Sequence, residues 1–167
     1  ATFTRDSFES LRNAMPKTAW NLIAMEDRSG GHVYPKPVTH VVPQDDIEAY
    51  ERVADDLNLS GVETVFVQHE FGIYGGESGS HLLVLLRRLR MPVIVTLHTV
   101  LEKPSAAQKK VMDEIISIAS AVIVMSEMGA DILDRVHGAG PKKVHVIPHG
   151  APERPFASTE PFKAPLG

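Results

Sequence analysis

The chain has no cysteine, and that single absence removes a disulfide scaffold, a thiolate zinc site and a cysteine nucleophile together. It fits a reducing compartment, and a cytoplasmic location is the expectation. Long apolar runs are lacking too. None approaches the roughly 20 residues needed to cross a bilayer, and no charged-then-apolar signal segment is recognised at the start. Contact with a membrane would therefore be peripheral. An excess of positive charge is also missing: 17 basic side chains stand against 21 acidic ones, for a net charge of −4. No basic block stands out, so the electrostatic footprint of a nucleic-acid binder is absent and no nucleic-acid partner is expected. What is present is a 43% hydrophobic chain of 167 residues. That is enough for one domain with a real core and short for two.

Short β-branched or apolar runs recur at residues 20–25, 38–42, 62–67, 93–97, 121–125 and 144–147. The last four are apolar almost throughout, which suits strands covered on both faces of a parallel sheet. Helix signals lie between them. Asp45 or Asp46 can cap a helix whose apolar positions Ile47, Tyr50, Val53, Ala54 and Leu57 fall three and four apart. Ser80 is expected to cap a leucine-rich helix that ends near Arg90, where Pro92 stops it. Ser105 and Gln108 form a capping box ahead of Val111, Ile115 and Ile118. Ser126 opens a further helix through Ile132, Leu133 and Val136, with Gly138 as its C-terminal cap. Alternation of strand and helix predicts an α/β fold: a Rossmann-like open parallel sheet with helices on both faces. Residues 4–15 read as a helix with Phe8 and Leu11 on one face, and the strand expected before it is not found. After Gly150 the chain becomes proline-rich, so residues 151–167 are expected to be a linker or tail. No internal repeat is evident.

In an open parallel sheet, ligands bind in the crevice beyond the carboxyl ends of the strands. The first strand delivers Glu26 and Asp27 there. The third delivers Gln68, His69 and Glu70, then a glycine-rich loop running through Gly72, Gly75, Gly76 and Gly79. The next gives Thr96, His98 and Thr99, the following one Ser126 and Glu127, and the last His149 and Gly150. Plainer readings stand beside each functional one. His69 and Glu70 can cap the sheet edge, His98 can be structural, Ser126 and Glu127 can be only a helix cap, and His149-Gly150 can be only a tight turn. The loop can be a surface connection, or its small residues can let backbone N–H groups and the helix start at Ser80 approach an anion. It matches neither the dinucleotide fingerprint nor the P-loop. No HExxH spacing supports a metal, and none is expected. Gly76-Glu77-Ser78-Gly79 also lacks the spacing of a hydrolase nucleophile elbow.

Four motifs in order then carry a resemblance. They are Val67-Gln68-His69-Glu70-Phe71-Gly72-Ile73-Tyr74-Gly75-Gly76, Thr96-Leu97-His98-Thr99-Val100, Val124-Met125-Ser126-Glu127 and Val146-Ile147-Pro148-His149-Gly150. The chain resembles bacterial retaining glycosyltransferases of the large group 1 family, which includes many mannosyl- and glucosyltransferases. That resemblance implies one half of a GT-B fold, with residues 1–150 as the N-terminal, acceptor-side domain and 151–167 as the interdomain linker. It implies transfer of a hexose from a nucleotide sugar, such as GDP-mannose or UDP-glucose, to a sugar or glycolipid-like acceptor. The nucleotide sugar is a co-substrate, and no further cofactor is implied. His98 corresponds to the family histidine that contacts the transferred sugar and is the catalytic candidate. His69, Glu70, Gly75 and Gly76 would line the acceptor side, and Thr99, Ser126, His149 and Gly150 are grouped with them as substrate-binding. His149 stands where the family usually has asparagine. The family's first strand with its glycine loop, and its C-terminal domain with paired glutamates, are not recognised here, so the chain alone is expected to be inactive. The alternatives are a stand-alone α/β small-ligand-binding or regulatory module, and a metal-dependent hydrolase using His69, Glu70, His98 and His149.

Overall fold

In the computed structural model, which describes residues 2–27, 33–34 and 36–150, capped amphipathic segments alternate with β-branched runs. The order is α1 (Thr2–Ala14), β1 (Leu22–Glu26), β2 (Val38–Pro43), α2 (Ile47–Leu59), β3 (Val65–His69), α3 (His81–Arg88), β4 (Val93–Leu97), α4 (Ala106–Ile118), β5 (Ala121–Val124), α5 (Glu127–His137) and β6 (Val144–Val146). The proline-rich stretch 151–167 lies outside the described residues. Among the described residues no helix is long and apolar enough to cross a membrane.

Three helices start where side-chain oxygens can take up orphan N–H groups. Asp46 accepts from Ala49 N at 3.2 Å and Ser126 from Gly129 N at 3.1 Å. Ser105 and Gln108 exchange both bonds of a capping box. Each such cap contributes about 1 kcal/mol. Ser80 departs from the expected pattern. Its backbone is already helical (φ −61, ψ −19) and its side chain makes no capping bond. The turn before it is kinked, with Ser78 at φ 54, and His81 N and Leu83 N are taken by the carbonyls of Gly75 and Ser80. The same helix stops at Arg88 rather than near Arg90. Asn58 of α2 explains this: its side chain donates to Arg88 O and accepts from Arg90 N, both at 2.9 Å, and so turns the chain out of the helix.

All strand pairs are parallel, but they form two sheets rather than one. β3, β4, β5 and β6 make a four-stranded sheet in that order, while β1 pairs only with β2. The strands on either side of the break, β1 and β3, each have a strand partner on one edge only. Trp20, just ahead of β1, spans the break with its side chain. Its ring lies 6.4 Å from Phe8 of α1 and 6.3 Å from Phe66 of β3. Side chains alternate across a strand, so α1 approaches the face of β3 that carries Phe66 and Gln68, opposite to the face of Val67 and His69. β3 begins at Val65, three residues later than expected, because Val65 N is the group that reaches Pro92 O at the start of the β3–β4 ladder.

The core centres on β4, whose Val93, Val95 and Leu97 are buried along one face. Tyr50 of α2, Leu86 of α3, Met112 and Ile115 of α4, Val122 and Val124 of β5 and Leu133 of α5 complete it. Removing an aliphatic side chain of this size from water is worth about 1.5–3 kcal/mol. Parallel strands in one sheet end on the same rim, and β3 to β6 accordingly deliver their C-terminal residues side by side.

Candidate functional site

The rim is built from the tips of β3 and β4 outward. His98 N donates to His69 O at 3.0 Å, which extends the ladder one step past β4. Beyond it, two side-chain contacts join consecutive positions. His98 Nε2 lies 2.8 Å from Gln68 Oε1, and Thr99 Oγ1 donates to Glu70 Oε2 at 2.6 Å. The other carboxylate oxygen of Glu70 accepts from Phe71 N at 3.1 Å. The last β3 residues therefore clamp the residues leaving β4 at two successive points.

Phe3, in the first turn of α1, closes this arrangement from above. Its ring is edge-on to His98 at 4.7 Å and to His149 at 5.2 Å. His98 is half-buried, whereas His149 and Gly150 are exposed. Burial lowers the His98 pKa, Glu70 pulls it the other way, and nearby His149 adds a smaller push downward. The imidazole at this rim is thus held toward its neutral form.

Other expected site residues have different surroundings. His69 has no exposed surface at all. Its ring lies parallel to Tyr74 at 6.1 Å and edge-on to Phe71 at 5.1 Å, and neither ring nitrogen has a hydrogen-bond partner. Such a ring is a packing group beneath the rim, and it does not line an open surface. Gly75 is likewise a joint. Its N–H donates to Tyr50 OH at 3.3 Å and its carbonyl accepts from His81 N at 3.0 Å, so neither group is free for a ligand. Gly76 is exposed, with φ 76 and ψ 176, a region that only glycine occupies without strain. Ser126 spends its hydroxyl on the α5 cap. The structure thus brings together Glu70, His98, Thr99 and His149, with Ser126 on the next strand tip, and sets His69 and Gly75 beneath them. Among the described residues no three His, Asp or Glu side chains are grouped as a metal site requires.

Two members of the cluster were not picked out as site residues from the sequence. Gln68 had a signal: it shares strand parity with the face on which His98 emerges, one strand away. Phe3 had none, since 95 residues separate it from His98.

Burial of His69 has a measurable consequence. Lost hydration lowers its pKa from 6.5 to about 4, against a smaller upward pull from Glu70, with His98 adding a further downward push. The unfolded chain takes up the proton as pH falls below about 6.5, while the folded chain resists until about 4. Stability from keeping this ring neutral is complete above pH 6.5 and drains away between 6.5 and 4, by about 3 kcal/mol in all. His69→Phe, which keeps a flat ring without a titrating group, is expected to flatten this part of the profile. Urea unfolding of both proteins from pH 7 to pH 4 checks it. Identical losses in the two would show that His69 is not the titrating group.

Residues 34–153 of the chain match the model of the family described as Glycosyltransferase Family 4. No curated protein and no solved structure matches the chain.

Proposed function

The chain belongs to Glycosyltransferase Family 4, and on that premise we propose that it is the acceptor-side half of a retaining hexosyltransferase. The donor is a nucleotide sugar of the mannose or glucose type, and the acceptor is a sugar or glycolipid-like hydroxyl. A second domain following the 151–167 linker holds most of the nucleotide and its phosphates. The observation that carries this reading is the clamped His98, standing with Glu70, Thr99 and His149 on one rim.

In such a transfer the bond from the sugar carbon to the phosphate oxygen breaks, a new bond forms from that carbon to the acceptor oxygen, and the acceptor's hydroxyl proton passes to the departing phosphate. Positive charge grows at the carbon and negative charge on the departing phosphate. Helix N-termini and basic side chains meet phosphate charge best, and in this proposal they come from the second domain. The present half supplies orientation of the acceptor hydroxyl and exclusion of water, which convert an encounter into a positioned reaction. His98, as a neutral ring, binds a hydroxyl of the transferred sugar.

The full-length reading frame, incubated with a panel of nucleotide sugars, is expected to be protected against heat by its own donor and to yield product with the donor's anomeric configuration. The 167-residue chain alone is expected to yield none. Robust product from the chain alone would overturn the two-domain reading, and inverted product would overturn retention.

A further inference from the structure

We infer that Gln68 is a positioning residue that fixes His98 as its Nε2–H tautomer and so makes Nδ1 the acceptor that selects a hydroxyl donor on the bound ligand. The inference rests on the transferase reading for the ligand's identity, but the tautomer assignment stands on geometry alone.

A carboxamide oxygen can only accept a hydrogen bond, so its partner at 2.8 Å, His98 Nε2, carries the proton. A neutral imidazole holds one N–H, which leaves Nδ1 with its lone pair. No described protein group hydrogen-bonds to Nδ1, and it is the ring's one unused polar atom. Gln68 is well placed to impose this choice because its backbone is fixed and brings the side chain up to the ring. Its backbone lies in the β3–β4 ladder opposite Thr96, and its carbonyl accepts from the buried Tyr74 hydroxyl at 2.8 Å. The Glu70–Thr99 bond holds the adjoining residue in place, so the His98 ring cannot leave Gln68 by swinging out with its loop. Phe3 packs edge-on against the ring and limits its rotation.

The chemical consequence is selective. A lone pair on neutral Nδ1 can receive a sugar hydroxyl proton and has nothing to offer a phosphate oxygen, which is itself an acceptor. His98 would therefore read a hydroxyl of the sugar and leave phosphate to other groups. Without Gln68 the ring can adopt either tautomer, and part of the population presents an N–H where the hydroxyl donates.

The test combines histidine nitrogen NMR on this chain with kinetics on the full-length protein. In the wild-type chain, His98, assigned by the loss of its signals in His98→Gln, is expected to show a protonated Nε2 and an unprotonated Nδ1. Gln68→Leu is expected to mix the tautomers and lower kcat/KM of the full-length protein by about ten- to a hundredfold, within the span of a lost positioning group. Gln68→Glu retains an acceptor oxygen. It is expected to restore the Nε2–H tautomer and raise the His98 pKa by about one unit or more, moving the acid limb of the activity profile up by the same amount. A wild-type Nδ1–H tautomer, or a tautomer unchanged in Gln68→Leu, overturns the inference. If the NMR is as expected but the full-length protein transfers no sugar, the positioning role stands and the transferase reading falls.

Discussion

Replacing His98 by alanine in the full-length transferase is expected to lower turnover by about ten- to a thousandfold, the span covered by lost acid–base, positioning and electrostatic groups. The expectation follows from where the ring sits. It is half-buried on the rim of the four-stranded sheet, its Nε2 is committed to Gln68, and its Nδ1 is the one ring atom with hydrogen-bonding capacity to spare. Truncation removes that capacity and also the surface against which Phe3 rests. The cost to folding is small by comparison. One hydrogen bond to a partly solvated carboxamide is worth about 1 kcal/mol, and Gln68 can turn to water once the ring is gone. Steady-state kinetics beside urea unfolding separates the two effects. A fall in kcat with nearly unchanged stability is the expected pair, and unaltered kinetics would remove His98 from the site.

Gly75→Ala is expected to act in the opposite way, on folding before chemistry. A β-carbon at this position would lie 2.5 Å from His81 Nδ1 and 2.7 Å from Asp45 Oδ1, and would collide with the backbone carbonyl of Gln44. The carbonyl cannot simply withdraw. It accepts the Tyr50 hydroxyl at 2.8 Å, and that hydroxyl in turn receives Gly75 N–H. The end of β2, the first turn of α2 and the start of α3 meet at this one point, so relieving the overlap means separating them. Overpacked interiors lose about 1–3 kcal/mol, and coupling to broken hydrogen bonds places this case at about 3 kcal/mol or above. Gly72→Ala is the matched control, since nothing lies within 4 Å of its added carbon. Urea midpoints for the two variants are expected to differ widely; equal midpoints would contradict the packing described at Gly75.

Much of the fold was legible because local chemistry and tertiary structure agree. The run 93–97 is apolar at every position but Thr96, and it is the strand most deeply covered. Asp46, Ser105, Ser126 and Gly138 cap as their positions suggest, and Gly138 takes the left-handed conformation that ends α5. Ser80 was misleading because the backbone has already met the donors it would cap: His81 N donates to Gly75 O and Leu83 N to Ser80 O, which leaves neither for its hydroxyl. Arg90 was misread as the helix end because Asn58, 30 residues before Arg88, supplies the stop.

The site was partly legible for the same reason. Strand tips in a parallel sheet converge whatever their sequence separation, so Glu70, His98, Thr99 and His149 could be gathered on paper. What sequence could not convey is depth. His69 and Glu70 are adjacent, yet alternation along the strand sends one into the core against Tyr74 and the other to the rim. Nor could it reveal that Gly75 is crowded by Gln44 and Asp45 of the β2–α2 turn and by His81 of α3, or that Phe3 arrives from the far end of the chain.

The division of the strands into a four-stranded and a two-stranded unit bears on how the molecule breathes. A pair of strands is marginal by itself, and β1 with β2 is held to the rest by the Trp20 bridge, by α2, by Val42 in the core and by the Gln44 junction at Gly75. Opening of that ribbon can therefore precede any loss of the larger ladder, and the rim at His98, anchored in β3 and β4, would keep its shape while the ribbon fluctuates.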